Sequence, residues 1–427
     1  MYTMTGEVKR EEEFPLKDEY ADRAVPLDAR MHWIKPSMVW LGFSTQFISF
    51  FVGAEVAMKV GMPWAVLGIF IGCVFLVIES GLIAWASAKY GYSFPMVNKK
   101  AWGKRAFLIP SLFLAVLVTG WYAYQAMATG DVWEKAWGVN AHWASVVFAI
   151  LFALTATKYK WMVWARALGV PALFVMVGYL LYFVIIPNWD KAWSFTVANP
   201  DYSYGITTGI SFFIISSIMT GDIVRYCKPK VFDSTMVTIF AFIVGNGLAL
   251  SVGALAYAAY PNLDTWWGLV SVQLGIPVVM AATWMNWVSG DACLYNAVMG
   301  YTNAHPKVKW KHAIIIGGII GAIAAGTAGL KTVVPFMLGI GTLVPPIGGV
   351  LIADFYWLRK GDYTRDRKAD WNWIALISTV IGILLAWVSL RTIPWLPNQI
   401  TGMVASFLAF GILMNAFGKG AELVPSR

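Results

Sequence analysis

The sequence predicts an all-α integral membrane protein with twelve transmembrane helices. Two observations carry this. Apolar runs of the length that crosses a bilayer, roughly 17–25 residues, recur along the whole chain. Lysine and arginine fall almost entirely in alternate connections between those runs.

The runs lie at 38–58, 63–88, 106–129, 142–157, 164–186, 206–226, 235–258, 276–301, 312–330, 332–357, 372–391 and 394–417, here spans 1 to 12. Apolar residues make up 59% of the chain, charged residues 13%, and mean hydropathy is +0.63. A soluble domain carries about 25% charged residues, so an ordinary soluble fold is excluded. The formal charge of +9 would also suit nucleic acid, but its distribution argues otherwise. With a cytoplasmic N-terminus and alternating spans, 27 of the 32 Lys and Arg fall inside and 5 outside. Adding or removing one span would scramble that alternation. The expected organisation is a cytoplasmic tail over 1–36, a twelve-helix domain over 37–418 and a cytoplasmic tail over 419–427. The first 36 residues are polar, with Glu11-Glu12-Glu13 in their middle, and do not read as a signal peptide.

The longest connections, 89–105, 187–205 and 259–275, leave little room for catalytic machinery outside the membrane. None of the four histidines sits mid-span, and Cys73, Cys227 and Cys293 lie too far apart in sequence for a disulfide or zinc spacing. No nucleotide-binding motif is present. An enzyme, a primary pump and a nucleic-acid partner are therefore not expected, and no cofactor is implied.

A charge at helix-centre depth costs roughly 2.5–3.5 kcal/mol, so intramembrane polar residues need a reason. Glu55 and Asp354 stand near span ends, where pairing with interfacial cations suffices. Asp222 precedes Arg225 by three residues, the spacing of an intrahelical pair. Glu79 is more central and suits either a structural hydrogen bond or proton handling. Asp291 lies deep in span 8, beside Ser289 and Gly290, with no basic residue within a turn. It reads as substrate or coupling-ion machinery, or as an interhelical bond.

On span 3, Trp121 and Gln125 are four apart and share a face. Span 6 carries Phe212 and Phe213. An indole and a phenyl ring meeting across a bundle can sandwich a flat heteroaromatic while an amide reads its polar edge. Packing alone is the competing explanation. Gly42-Phe43-Ser44-Thr45-Gln46 in span 1 is echoed by Thr207-Thr208-Gly209 in span 6, five spans later, which hints at an inverted repeat with paired broken helices. Pro345-Pro346 and Gly348-Gly349 mark span 10 as a kinked candidate hinge.

The segment Thr342-Leu343-Val344-Pro345-Pro346-Ile347-Gly348-Gly349-Val350-Leu351-Ile352-Ala353-Asp354-Phe355 resembles a motif of the nucleobase:cation symporter family, which includes cytosine permeases and hydantoin transporters. Gly221-Asp222, Gly290-Asp291 and Gly120-Trp121 resemble other segments of that family in the same order. The resemblance implies a LeuT-like five-plus-five inverted repeat with two additional helices, and spans 1 and 6 broken at the midplane. It implies a substrate site of Trp121, Gln125, Phe213, Phe212, Gln46, Gly290 and Asp291, with the heterocycle held between Trp121 and Phe213. It also implies a sodium site at Gly42, Thr45, Met285, Val288 and Ser289. A hard cation wants about five or six oxygen ligands there, and Val288 supplies no hydroxyl. Proton coupling through Asp291 or Glu79 is the alternative.

The function expected is secondary-active symport of a nucleobase or related small heterocycle with Na+ or H+, by a monomer in the cell membrane. Alternatives are a thiamine-precursor pyrimidine, a hydantoin or allantoin as substrate, or an uncoupled facilitator.

Overall fold

A computed structural model describes residues 20, 23–157, 159–261, 275–304, 307–418 and 423–425. Most of the expected N-terminal tail, residues 262–274 of the 259–275 connection and parts of the C-terminal tail lie outside the described residues. Each of the twelve runs appears as a helix or a broken helix. Among the described residues, eight are long and apolar enough to cross a membrane, such as Trp64–Tyr90 and Leu108–Trp137, and a ninth if the bent pair Ile34–Ser44 and Ile48–Val60 is one span. The others are the shorter Ala141–Ala156, the interrupted span 6, and Gly275–Ala304 with its buried acid and amides.

Spans 1 and 6 are the broken ones. Span 1 bends by 64° between Ile34–Ser44 (1a) and Ile48–Val60 (1b), because Thr45 leaves helical geometry at ψ 95°. Span 6 runs as Tyr202–Ser211 (6a), Ile214–Ile218 (6b) and Gly221–Val224, with Phe213 out of helical geometry at the first interruption. A break of this kind exposes main-chain polar groups, which a bilayer-buried chain tolerates only inside the protein. Breaks in the first helix of each five-span half match the inverted-repeat expectation. Spans 11 and 12 pack on each other and on the Pro345–Ile352 half of span 10.

Glycines set which helices come closest. Gly68 and Gly72 on span 2 face Gly205 and Gly209 on 6a, so that a Cβ on Gly68 would meet Gly205 Cα at 3.0 Å and one on Gly209 would meet Gly72 Cα at 3.2 Å. This is small-xxx-small packing on both partners. Gly53 on 1b abuts the Leu250 carbonyl of span 7, and Gly253 on span 7 abuts the Phe50 carbonyl of 1b.

The connections assigned to the basic side meet at one end of the bundle. Arg30 Nη1 donates to Ala88 O at 2.6 Å, Lys89 Nζ to Gly361 O at 2.7 Å and Arg225 Nη1 to Tyr20 O at 2.6 Å. At the other end, Asp201 N donates to Lys59 O at 3.0 Å and Met62 N to Phe195 O at 2.8 Å. The 89–105 connection, expected to be a loop, contains the helix Phe94–Trp102. Pro95 stands at its first turn, and Phe94, Val97, Ala101 and Trp102 are buried, while nine residues are too few to cross a bilayer. Asp222 Oδ1 accepts from Phe94 N at 2.8 Å, whereas Arg225 Nε donates to the Asp222 backbone carbonyl at 3.1 Å. The expected Asp222–Arg225 pairing thus runs through the main chain, and the carboxylate instead holds the start of that helix.

Asp354 is enclosed by two cations. Its Oδ2 lies 2.9 Å from Arg359 Nε and its Oδ1 2.5 Å from Arg367 Nη2, with all three side chains buried. Lys100 joins the cluster through Asp366 at 2.7 Å, tying Phe94–Trp102 to the end of span 10.

Candidate functional site

The two helix breaks bring together the side chains that the sequence set apart. Gln46 sits in the span 1 break, where residues 45–47 leave the helix and an amide side chain can turn inward. Gln125 on span 3 donates from Nε2 to Gln46 Oε1. Both are buried, and Gln125 Oε1 has no hydrogen-bond partner among the described residues. One turn earlier on the same face of span 3 lies Trp121. Its indole meets Phe212 edge-on, with centroids 5.2 Å apart and planes at 86°. Phe336 of span 10 closes the opposite flank at 5.6 Å and 77°. It seats in the notch left by Gly120, where a Cβ would meet its ring at 2.9 Å.

Phe213 lies elsewhere. Its ring packs against Phe43 at 6.2 Å and Phe242 at 6.2 Å, and touches the cluster only through Phe212 at 5.4 Å. The span 6 ring that meets the Trp121 indole directly is therefore Phe212, with Phe213 one contact further away. The break falls between the two phenylalanines and turns their side chains to different neighbours.

Span 8 divides its candidates between faces. Gly290 packs against Gln125 and Phe152, so that a Cβ there would meet Phe152 Cδ2 at 2.6 Å and Gln125 Cβ at 3.4 Å. Asp291 points instead to span 4, where Thr155 Oγ1 donates to its Oδ2 at 3.3 Å and Trp287 Nε1 donates to Thr155 Oγ1 at 2.9 Å. The structure does not bring Asp291 to the Gln46–Gln125–Trp121 cluster. Asn286, a buried amide on span 8, instead bonds to residues beside that cluster. Its Oδ1 accepts from Phe47 N in the span 1 break at 2.9 Å, and its Nδ2 donates to Thr129 Oγ1 on span 3 at 3.2 Å. Asn286 and Asp291 are five residues apart, about 140° around the helix, so they cannot share a face.

The residues expected at a sodium site lie along span 1a and span 8. The Gly42 carbonyl accepts from Thr45 N at 3.2 Å, and Thr45 Oγ1 donates to Leu41 O at 2.9 Å. Met285, Val288 and Ser289 are buried. Ser289 Oγ makes no hydrogen bond of normal geometry, while the Val288 isopropyl group faces Gly169 of span 5, where a Cβ would meet it at 2.7 Å. This position brings one hydroxyl, beside Cys293, and one apolar group.

Glu79 lies apart from both groups, between spans 2, 6b and 10. Its Oε2 accepts from Ser217 Oγ at 2.6 Å.

A bundle with two broken helices, and with aromatic and amide groups converging at the breaks, is that of a secondary transporter of the LeuT-like class. Residues 28–413 match the family described as permease for cytosine/purines, uracil, thiamine, allantoin, and the chain belongs to that family. It is similar to the cytosine permease of Escherichia coli (strain K12), at 23% identity covering 93% of this chain and 95% of that one. Two solved structures share its fold. Mhp1, a nucleobase-cation-symport-1 family transporter in a closed conformation with bromovinylhydantoin bound, aligns at TM-score 0.73 and 18% identity, covering 93% of this chain and 95% of its own. A substrate-bound, outward-open Na+-coupled sialic acid symporter aligns at TM-score 0.69 and 14% identity, covering 97% and 94%. The chain is thus a multi-pass membrane transporter and not an enzyme.

Proposed function

We propose that the chain is a symporter that imports a nucleobase or a closely related flat heterocycle across the cell membrane, with both termini cytoplasmic. The observation that carries the substrate class is the buried pair Gln46 and Gln125 beside Trp121, with Gln125 Oε1 left as an open acceptor. A ring amide presents an N–H next to a C=O, and a glutamine amide answers both. The indole supplies a stacking surface, and base–aromatic stacking is worth about 1–3 kcal/mol per base. Phe212, rather than Phe213, is the span 6 ring in reach of a ligand on Trp121.

Proton coupling is favoured over sodium. Val288 removes an oxygen from the span 8 position where a hard cation would need one, and a bare aqueous ion is costly to hold without a full set of oxygens. Sodium coupling remains the second reading, supported by the buried Ser289 hydroxyl on span 8. A thermal-shift screen of purified protein with cytosine, uracil, hydantoin and allantoin, each with and without sodium, tests both points. Stabilisation should rise with ligand concentration over its dissociation constant. A shift by a heterocycle that is indifferent to sodium is the expected result. No shift by any of the four would overturn the substrate class, and a shift that requires sodium would overturn the ion.

A further inference from the structure

Glu79 is wholly buried, and no ion-pair partner reaches it among the described residues. We propose that Glu79 is a proton-binding site: it holds a proton in this conformation and releases it when span 10 separates from spans 2 and 6b. The proposal rests on the reading of the chain as a proton-driven symporter.

Three observations support it. First, Ser217 has one hydroxyl hydrogen and two acceptors, Glu79 Oε2 at 2.6 Å and Leu76 O at 3.5 Å. If Glu79 is ionised, that hydrogen is committed to the carboxylate. If Glu79 is the acid, its O–H donates to Ser217 Oγ, and Ser217 is free to donate onward to Leu76 O as a second acceptor contact. Second, Glu79 Oε1 has no donor. It faces Gly348, where a Cβ would lie 2.6 Å from it, beside the Ile218 side chain. A carboxylate oxygen against apolar groups is costly, whereas the carbonyl oxygen of an acid tolerates that setting far better. Third, the contact falls in the first turn of Pro345–Ile352. Pro345 and Pro346 withhold two backbone donors there, so this stretch of span 10 is the one least fixed by its own hydrogen bonds.

The other ionisable groups around span 2 are committed elsewhere or stand at its ends. On span 6, Asp222 holds Phe94 N and Arg225 reaches Tyr20. On span 10, Asp354 is paired with Arg359 and Arg367, and Tyr356 donates to Leu82 O at 3.0 Å. Lys100 of Phe94–Trp102 is paired with Asp366. Asp233 begins span 7, and Glu55 with Tyr204 and Tyr257 lies towards the opposite end. Separation of span 10 would open Oε1 to water, which takes the proton and solvates the carboxylate. Reclosure requires a proton to return from water to the same oxygen pair.

The test uses the full chain reconstituted in lipid vesicles. The infrared carbonyl band of a protonated, buried carboxylic acid should be present in the wild type at neutral pH, vanish on alkalisation, and be missing from Glu79→Gln. Amide exchange over 347–358, corrected for intrinsic pH dependence, should rise with the same midpoint and lose that rise in Glu79→Gln. Identical carbonyl spectra in the two proteins, or an exchange profile unchanged by the substitution, would overturn the proposal. If Glu79→Gln does not fold, Ser217→Ala replaces it: the acid band should then move to higher frequency, and an unmoved band would overturn the proposal. These readouts need no substrate. A wild type that accumulates neither cytosine nor hydantoin under a proton gradient would therefore refute the symporter reading while leaving the infrared result to be judged separately.

Discussion

Asn286 Oδ1 accepts the Phe47 main-chain N–H at 2.9 Å, so a side chain of span 8 supplies the acceptor that the span 1 break took away. A buried amide N–H left without an acceptor costs about 1–3 kcal/mol. Asn286→Ala should lower the melting temperature and weaken heterocycle binding together, because the break carries Gln46. Asn286→Asp keeps the acceptor and should retain more of both. Thermal unfolding and equilibrium binding on the two variants check this, and equal losses would count against the anchoring role.

The aromatic cluster makes a sharper comparison. Trp121→Ala should abolish heterocycle binding, whereas Trp85→Ala, on a partly exposed face of span 2, should leave it near wild type. Phe212→Ala should cost more affinity than Phe213→Ala, by about 1 kcal/mol, in the range found for aromatic pairs. Measurement by ligand-dependent thermal shift would refute the assignment if Phe213→Ala were the more damaging.

Much of the fold was legible in the sequence because its cause is one-dimensional. Span length answers to bilayer thickness, and the alternation of Lys and Arg answers to topology. The Phe94–Trp102 helix is less legible because its buried stripe of Phe94, Val97 and Trp102 spans only nine residues among several lysines. The site was less legible. A 3.6-residue period cannot be carried across a break, so which of Phe212 and Phe213 meets Trp121 depends on backbone angles at Phe213 that composition does not encode. Asp291 stood out as a deep acid, but its direction is set by helix phase: it faces Thr155, and Asn286 faces the break. An asparagine carries no charge penalty to draw the eye, and its importance emerges only once the Phe47 N–H is seen to donate to it across the break.

At the basic end, Asp354 holds two buried guanidinium groups at once. Removing one partner of a buried ion pair costs about 3–5 kcal/mol, because the remaining charge is stranded. Asp354→Asn should therefore destabilise strongly in thermal unfolding. Adding Arg367→Met to that variant should recover part of the loss by removing one stranded cation. A double variant no more stable than the single would contradict this account.

The exposed turn after span 10 has a pH signature of its own. The Thr364 N–H at 2.8 Å and its hydroxyl at 2.9 Å hold the Asp362 carboxyl below its ordinary range, since both favour the charged form. With the folded value depressed, the turn's extra order is present above the ordinary carboxylate range and is lost as pH falls through the folded value. Protection of the Thr364 amide from exchange should fall in acid. Asp362→Asn should remove that dependence.

The reciprocal glycines carry a last consequence. Where Gly68 and Gly72 meet Gly205 and Gly209, and where Gly53 and Gly253 each meet a main-chain carbonyl, backbone touches backbone with no side chain to act as a bearing. Such seams neither slide nor swing without rupturing. They weld these stretches of spans 1, 2, 6 and 7 into one chassis, and leave the aromatic and hydrogen-bonded contacts to spans 3, 8 and 10 as the surfaces on which the machine can turn.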